Sequence, residues 1–169
     1  MRIQRPISVV LAWTLWAVLP AEAAVIIIVG DNDVSVASNS TYTVTESSSP
    51  IPALRAYATS TVRISGGQIG TFDAVESNHS FISGGTIQTF TLYHSAVSEI
   101  VGGQIGQIST WDTNHISWFG GSVASFTLRD ISTLTVYGKD LRLNLAGSSS
   151  QGWITGFLQD GTAINTPFF

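Results

Sequence analysis

The chain has 169 residues, of which 11% are Asp, Glu, Lys or Arg; its formal net charge is −4 and it contains no cysteine. With no cluster of basic residues, nucleic acid is not an expected partner, and without cysteine any compact fold must rest on apolar packing and backbone hydrogen bonds. A 44% hydrophobic chain of this length suits one globular domain.

Arg2 and Arg5 stand ahead of an apolar stretch over residues 7–19, and Ala21-Glu22-Ala23 follows with the small-x-small pattern of a cleavage site. This predicts a secretory signal peptide over 1–23 and an exported mature chain beginning at Ala24. The apolar stretch is shorter than the ~18–20 residues a membrane span requires, and no later segment suits one. The mature part carries five basic residues, Arg55, Arg63, Arg129, Lys139 and Arg142, against ten acidic ones.

Residues 24–61 read as an N-terminal cap followed by one degenerate coil. Residues 25–29 are uniformly apolar, as a buried cap strand would be. Ile51, Leu54 and Tyr57 then fall in register with a repeat that begins just downstream, and Ser48-Ser49-Pro50 stands where that repeat has a glycine pair.

From Val62 onward glycine pairs recur every 18 residues, at Gly66-Gly67, Gly84-Gly85, Gly102-Gly103 and Gly120-Gly121, with Gly138-Lys139 at the next step. An uninterrupted period means units of equal volume stacked on one another, the signature of a solenoid. Counting columns from Val62, the third reads Ile64, Ile82, Ile100, Trp118, Val136, and the eighth Ile69, Ile87, Ile105, Val123, Leu141. The eleventh reads Phe72, Phe90, Ile108, Phe126, then Asn144. These three columns are the expected core. The intervening residues are mostly Ser, Thr, Gly, Gln and Asn, and no helical stripe persists, so each coil consists of short strands.

The expected fold is therefore all-β: a single-domain parallel β-helix with 18-residue coils over 62–145. The glycine pairs suit corners with positive φ, where a side chain would also crowd adjacent coils. Gly70 and Gly106 are expected to help form a second corner. Leu141–Leu145 should continue the stack, residues 147–152 form a loop, and the apolar runs flanking Asp160-Gly161 make a hairpin cap within 146–169. The nonapeptide calcium repeat is excluded because the second half of each unit lacks a glycine pair; the left-handed hexapeptide helix is excluded because apolar columns fall at three, eight and eleven rather than every six. A right-handed helix is favoured.

The units Ile64-Ser65-Gly66-Gly67-Gln68-Ile69 and Ile82-Ser83-Gly84-Gly85-Thr86-Ile87 resemble the tandem I-S-G-G-x-I repeats of exported bacterial proteins that often carry a PEP-CTERM sorting tail. Val136-Tyr137-Gly138 and the segment from Thr155 to Thr162 are similar to the closing segment of those proteins, so the likeness covers roughly residues 62–169. The resemblance implies an exported protein associated with the envelope or extracellular matrix, with no catalytic residues to carry over. A Pro-Glu-Pro motif, apolar helix and basic end do not occur before Phe169, so anchoring by that route is not part of the expectation.

Several polar columns need a chemical explanation. The fifteenth reads Glu76, His94, Asp112, Asp130, with a spacing of ~4.8 Å between adjacent members. Carboxylates at one or two such steps overlap the separations used by glycosidases, but any column of acids would do so. A solvated edge is the expectation here, with polysaccharide cleavage or a calcium site at Asp112 and Asp130 as alternatives. His79 and His115 share the eighteenth column two coils apart, too far to ligate one zinc directly, and Asn78 and Asn114 before them suit a corner. Residues flanking the eleventh column, such as Thr89 and Thr91, form a hydroxyl ladder that Asp73 and Gln107 interrupt, which argues against an ice-binding array. Tyr93 and Trp111 in the fourteenth column offer a possible sugar platform. No catalytic, cofactor or metal site is expected. The functional expectation is a non-enzymatic scaffold that meets extracellular polysaccharide or envelope components, with carbohydrate binding or cleavage as the alternative.

Overall fold

The computed structural model describes residues 26–29 (backbone only), 33–48, 50–146 and 150–169; the expected signal peptide lies outside them. Strands β1 (Ile26–Val29) and β2 (Asp33–Val36) form an antiparallel pair, and β1 ends the sheet at that side. The ladder then becomes parallel. It runs through β3 (Thr41–Val44), β4 (Ile51–Ala56), β5 (Thr61–Ala74), β6 (His79–Leu92), β7 (Val97–Ile100), β8 (Gln104–Thr110), β9 (His115–Trp118), β10 (Ser122–Thr127) and β11 (Thr133–Val136). Each coil lies beside its equivalent, so Ile69, Ile87, Ile105 and Val123 are successive partners, as are Ile64, Ile82, Ile100, Trp118 and Val136. The protein is a β-solenoid.

The solenoid starts one coil earlier than the sequence repeat. Val34 pairs with Leu54 and Val44 with Ile64, a step of 20 residues rather than 18. The two additional residues lie between Val44 and Ile51, where the Ser48 amide donates to the Thr45 carbonyl at 3.0 Å and replaces the glycine corner with a longer turn. Ile51 and Leu54 pair with Ile69 and Phe72, in the register their spacing predicts.

All three expected core columns are buried along the regular coils, with Phe72 and Phe90 stacked at 4.6 Å and parallel to within 1°. Burying each such side chain contributes roughly 1.5–3 kcal/mol. Three further columns also face inward: the first (Val62, Ser80, Ser98, Ile116), the thirteenth (Ala74, Leu92, Thr110) and the seventeenth (Ser60, Asn78, Ala96, Asn114). Their Ser, Ala, Thr and Asn residues hide them from a hydropathy pattern.

The two glycines of each pair act differently. Gly67, Gly85, Gly103 and Gly121 have φ between 76° and 86°, the left-handed region that favours glycine. Gly84 does not, and it is needed because a Cβ there would collide with the Ser65 carbonyl one coil away. Gly70 and Gly106 lie within strands, where two outward residues separate inward Ile69 from Phe72 and Ile105 from Ile108, so the chain changes direction there without a positive φ. The second left-handed corner falls six residues later, at Glu76 and its equivalents.

The C-terminal cap also differs from its expected form. β12 (Gly138–Leu145) does not continue the parallel stack; it pairs antiparallel with β13 (Gly152–Leu158), which pairs antiparallel with β14 (Ala163–Phe168). β14 instead adds to β10, joining Phe168 to Phe126. The departure begins at Gly138, which already pairs with Leu158, and Asp140, with φ of 54°, lies at a register shift between Lys139 and Arg142. The hairpin around Asp160-Gly161 forms as expected, and residues 147–149 of the expected loop lie outside the described residues.

Candidate functional site

The fifteenth column is a corner, and its chemistry is conformational. Glu76, His94, Asp112 and Asp130 have φ of 63°, 62°, 72° and 57°. Asp and His are among the residue types enriched at left-handed positions in the absence of glycine. The Asp112 carboxylate accepts the His94 backbone N–H at 3.2 Å, and the Asp130 carboxylate accepts that of Asp112 at 3.0 Å. Each acid thus caps the corner of the coil before it. The carboxylates are engaged with backbone amides along the stack rather than converging on a shared point. Among the described residues, no group of three or more His, Cys, Asp or Glu is placed to hold a metal ion.

Two residues further along, the corner turns inward, in alternate coils onto a buried amide. Asn78 donates to both the carbonyl and the hydroxyl of Ser60 at 2.9 Å, and its side-chain oxygen accepts from Ser80 at 2.6 Å. Asn114 accepts the Ala96 N–H and donates to the Leu92 carbonyl, each at 3.1 Å, and also donates to the Trp111 carbonyl. The column alternates Ser60, Asn78, Ala96, Asn114, Ser132, so each amide occupies the room left by a small residue one coil before. Ser98 shows what happens without it: Ala96 stands where an Asn would be, and the buried Ser98 hydroxyl has no hydrogen-bond partner.

His79 and His115 lie exposed on the outer face, and His79 Nε2 is 3.5 Å from Glu99 Oε1. They belong to a two-coil period the 18-residue alignment passes over: Gln68-Ile69-Gly70 with Asn78-His79 recurs as Gln104-Ile105-Gly106 with Asn114-His115, 36 residues on. Tyr93 and Trp111 keep their fourteenth-column positions, but the Arg129 guanidinium lies 4.0 Å from the centre of the Trp111 ring. That cation covers a face a sugar would need.

The remaining polar construction lies at the C-terminal cap. Asp160 accepts the Gly121 N–H at 2.9 Å and the Thr162 N–H at 2.8 Å, sealing the last glycine corner. Partial burial alone would raise its carboxyl pKa, but these bonds outweigh it and hold the group below its ordinary value. Beside it, Phe119 and Tyr137 stack at 4.1 Å with an interplanar angle of 11°. Sequence reading missed this pair because the fourth column begins with Ser65 and Ser83 and becomes aromatic only at its end.

No family model, no curated protein and no solved structure matches the chain. No helix among the described residues is long and apolar enough to cross a membrane.

Proposed function

We propose that the protein is an exported, non-enzymatic β-solenoid with a structural or surface-interaction role in the extracellular matrix or envelope. The observation that carries the non-enzymatic part is the use of Asp112 and Asp130 as caps on left-handed corners. That role accounts for Asp112 and Asp130 without a reaction. Export rests on the leader pattern of residues 1–23 and on the resemblance of the repeats to exported bacterial proteins.

Expression of the full chain with its leader, followed by fractionation and N-terminal sequencing, should recover material outside the cytoplasm beginning at Ala24. Recovery of Met1 from exported material would contradict the leader. Incubation with a panel of polysaccharides should release neither new reducing ends nor unsaturated products; an activity abolished by Asp112→Asn in a folded protein would overturn the non-enzymatic reading.

A further inference from the structure

We infer that the C-terminal end of the solenoid binds a neutral saccharide, with Tyr137 as the platform. The inference rests on the surface-interaction reading and names its ligand. In the fourth column Tyr137 ends an aromatic ladder: Phe119 stacks on it at 4.1 Å, the ring remains 40% exposed, and no second ring or cation stacks on it among the described residues. It borders a hollow lined by Gly138, Lys139, Leu158, Gln159 and Gly161. A second hollow, lined by Glu99, Val101, Phe119, Gln159 and Asp160, lies beside the other member of the stack. Gln159 lines both.

The chemistry fits a sugar ring better than other ligands. A pyranose presents an apolar C–H face and a rim of hydroxyls; a flat aryl ring receives the first, while an amide that both donates and accepts serves the second. Gln159 is exposed and adjacent to the ring; Lys139 lines the first hollow, and Glu99 and Asp160 line the second. One cation against two carboxylates gives no net attraction for an acidic polymer. The aromatic pair is also far smaller than the roughly 800 Å² per partner of a standard protein interface. Gly161 leaves the approach open, since a Cβ there would meet nothing within 4 Å. The Asp160 carboxylate is fixed in place beside the ring pair by the Gly121 and Thr162 amides.

The test is titration of the isotopically labelled mature chain with cellohexaose, xylohexaose, laminarihexaose and chitohexaose, followed by amide NMR. At least one should produce saturable shifts at Gly138, Gln159 and Gly161. Tyr137→Leu, which keeps an apolar cover on Phe119 but removes the flat ring, should weaken that binding at least about tenfold; Gln159→Ala should weaken it with the fold untouched, and Trp111→Ala should leave it unchanged. Absence of shifts with all four, or equal affinity in Tyr137→Leu and Gln159→Ala, would overturn the saccharide site. New reducing ends in the same tubes would instead overturn the non-enzymatic reading, so the two failures are distinguishable.

Discussion

Ser80 and Ser98 occupy the same inward column one coil apart, and replacing each with alanine should change stability in opposite directions. Both are fully buried. The Ser80 hydroxyl donates to the Asn78 side-chain oxygen at 2.6 Å; Ser80→Ala would leave that oxygen buried without its donor, at a cost of about 1–3 kcal/mol. The Ser98 hydroxyl has no partner, so Ser98→Ala removes a desolvated polar group and leaves only the volume of one oxygen atom to be closed. A gain of about 1 kcal/mol is expected, reduced somewhat by incomplete closure. Urea denaturation with an unchanged m value would measure both, and the difference between the variants should reach about 2–4 kcal/mol. If Ser98→Ala destabilises as much as Ser80→Ala, the account of this column through its Asn neighbours is wrong.

Gly161→Ala should cost about 1–2 kcal/mol, since φ is 90° but nothing lies near the added carbon; Gly85→Ala should cost more, about 2–4 kcal/mol, because its Cβ would also stand 2.5 Å from the Gly66 carbonyl oxygen. Equal losses in urea midpoint would contradict the stacked corner. Asp112→Asn keeps both an acceptor for the His94 amide and tolerance of positive φ, so it should change stability by less than about 0.5 kcal/mol, whereas Asp112→Ala should cost about 1–2 kcal/mol; equal costs would remove the capping role. The Asp160 carboxyl is held below its unfolded value of 3.8, so its stabilisation is present above that pH and is lost as pH falls through the lower folded value. Melting temperature measured from pH 5 to about pH 2 should therefore fall more steeply in wild type than in Asp160→Asn, and parallel curves would refute the assignment.

Repetition made the fold readable, because stacking turns an 18-residue spacing directly into spatial neighbours. It identified Ile64, Ile69 and Phe72 as inward and the glycine pairs as a corner. What it missed follows from local chemistry. Ser80 and Asn78 are inward because hydrogen bonds satisfy them, which hydropathy does not register. The Glu, His, Asp, Asp column is the exposed edge it was expected to be; what went unread is its left-handed backbone, which Asp and His at one fixed position already suggested. Tyr137 escaped attention because its significance depends on being last in a stack, a property visible only once β12 is seen to leave the ladder.

The alternation of amide and small side chains at the seventeenth column means that the coil is not the unit by which this interior can change length. Removing one coil would set Asn against Asn, or a small residue against another small one, and leave either crowding or a void beside polar atoms. Removing or adding two restores the alternation of amide and small side chain in this column, together with the Gln-Ile-Gly and Asn-His positions that recur after 36 residues. Duplication within such a chain is compatible with its core in paired steps of about 9.6 Å, so relatives of different length should differ by even numbers of coils.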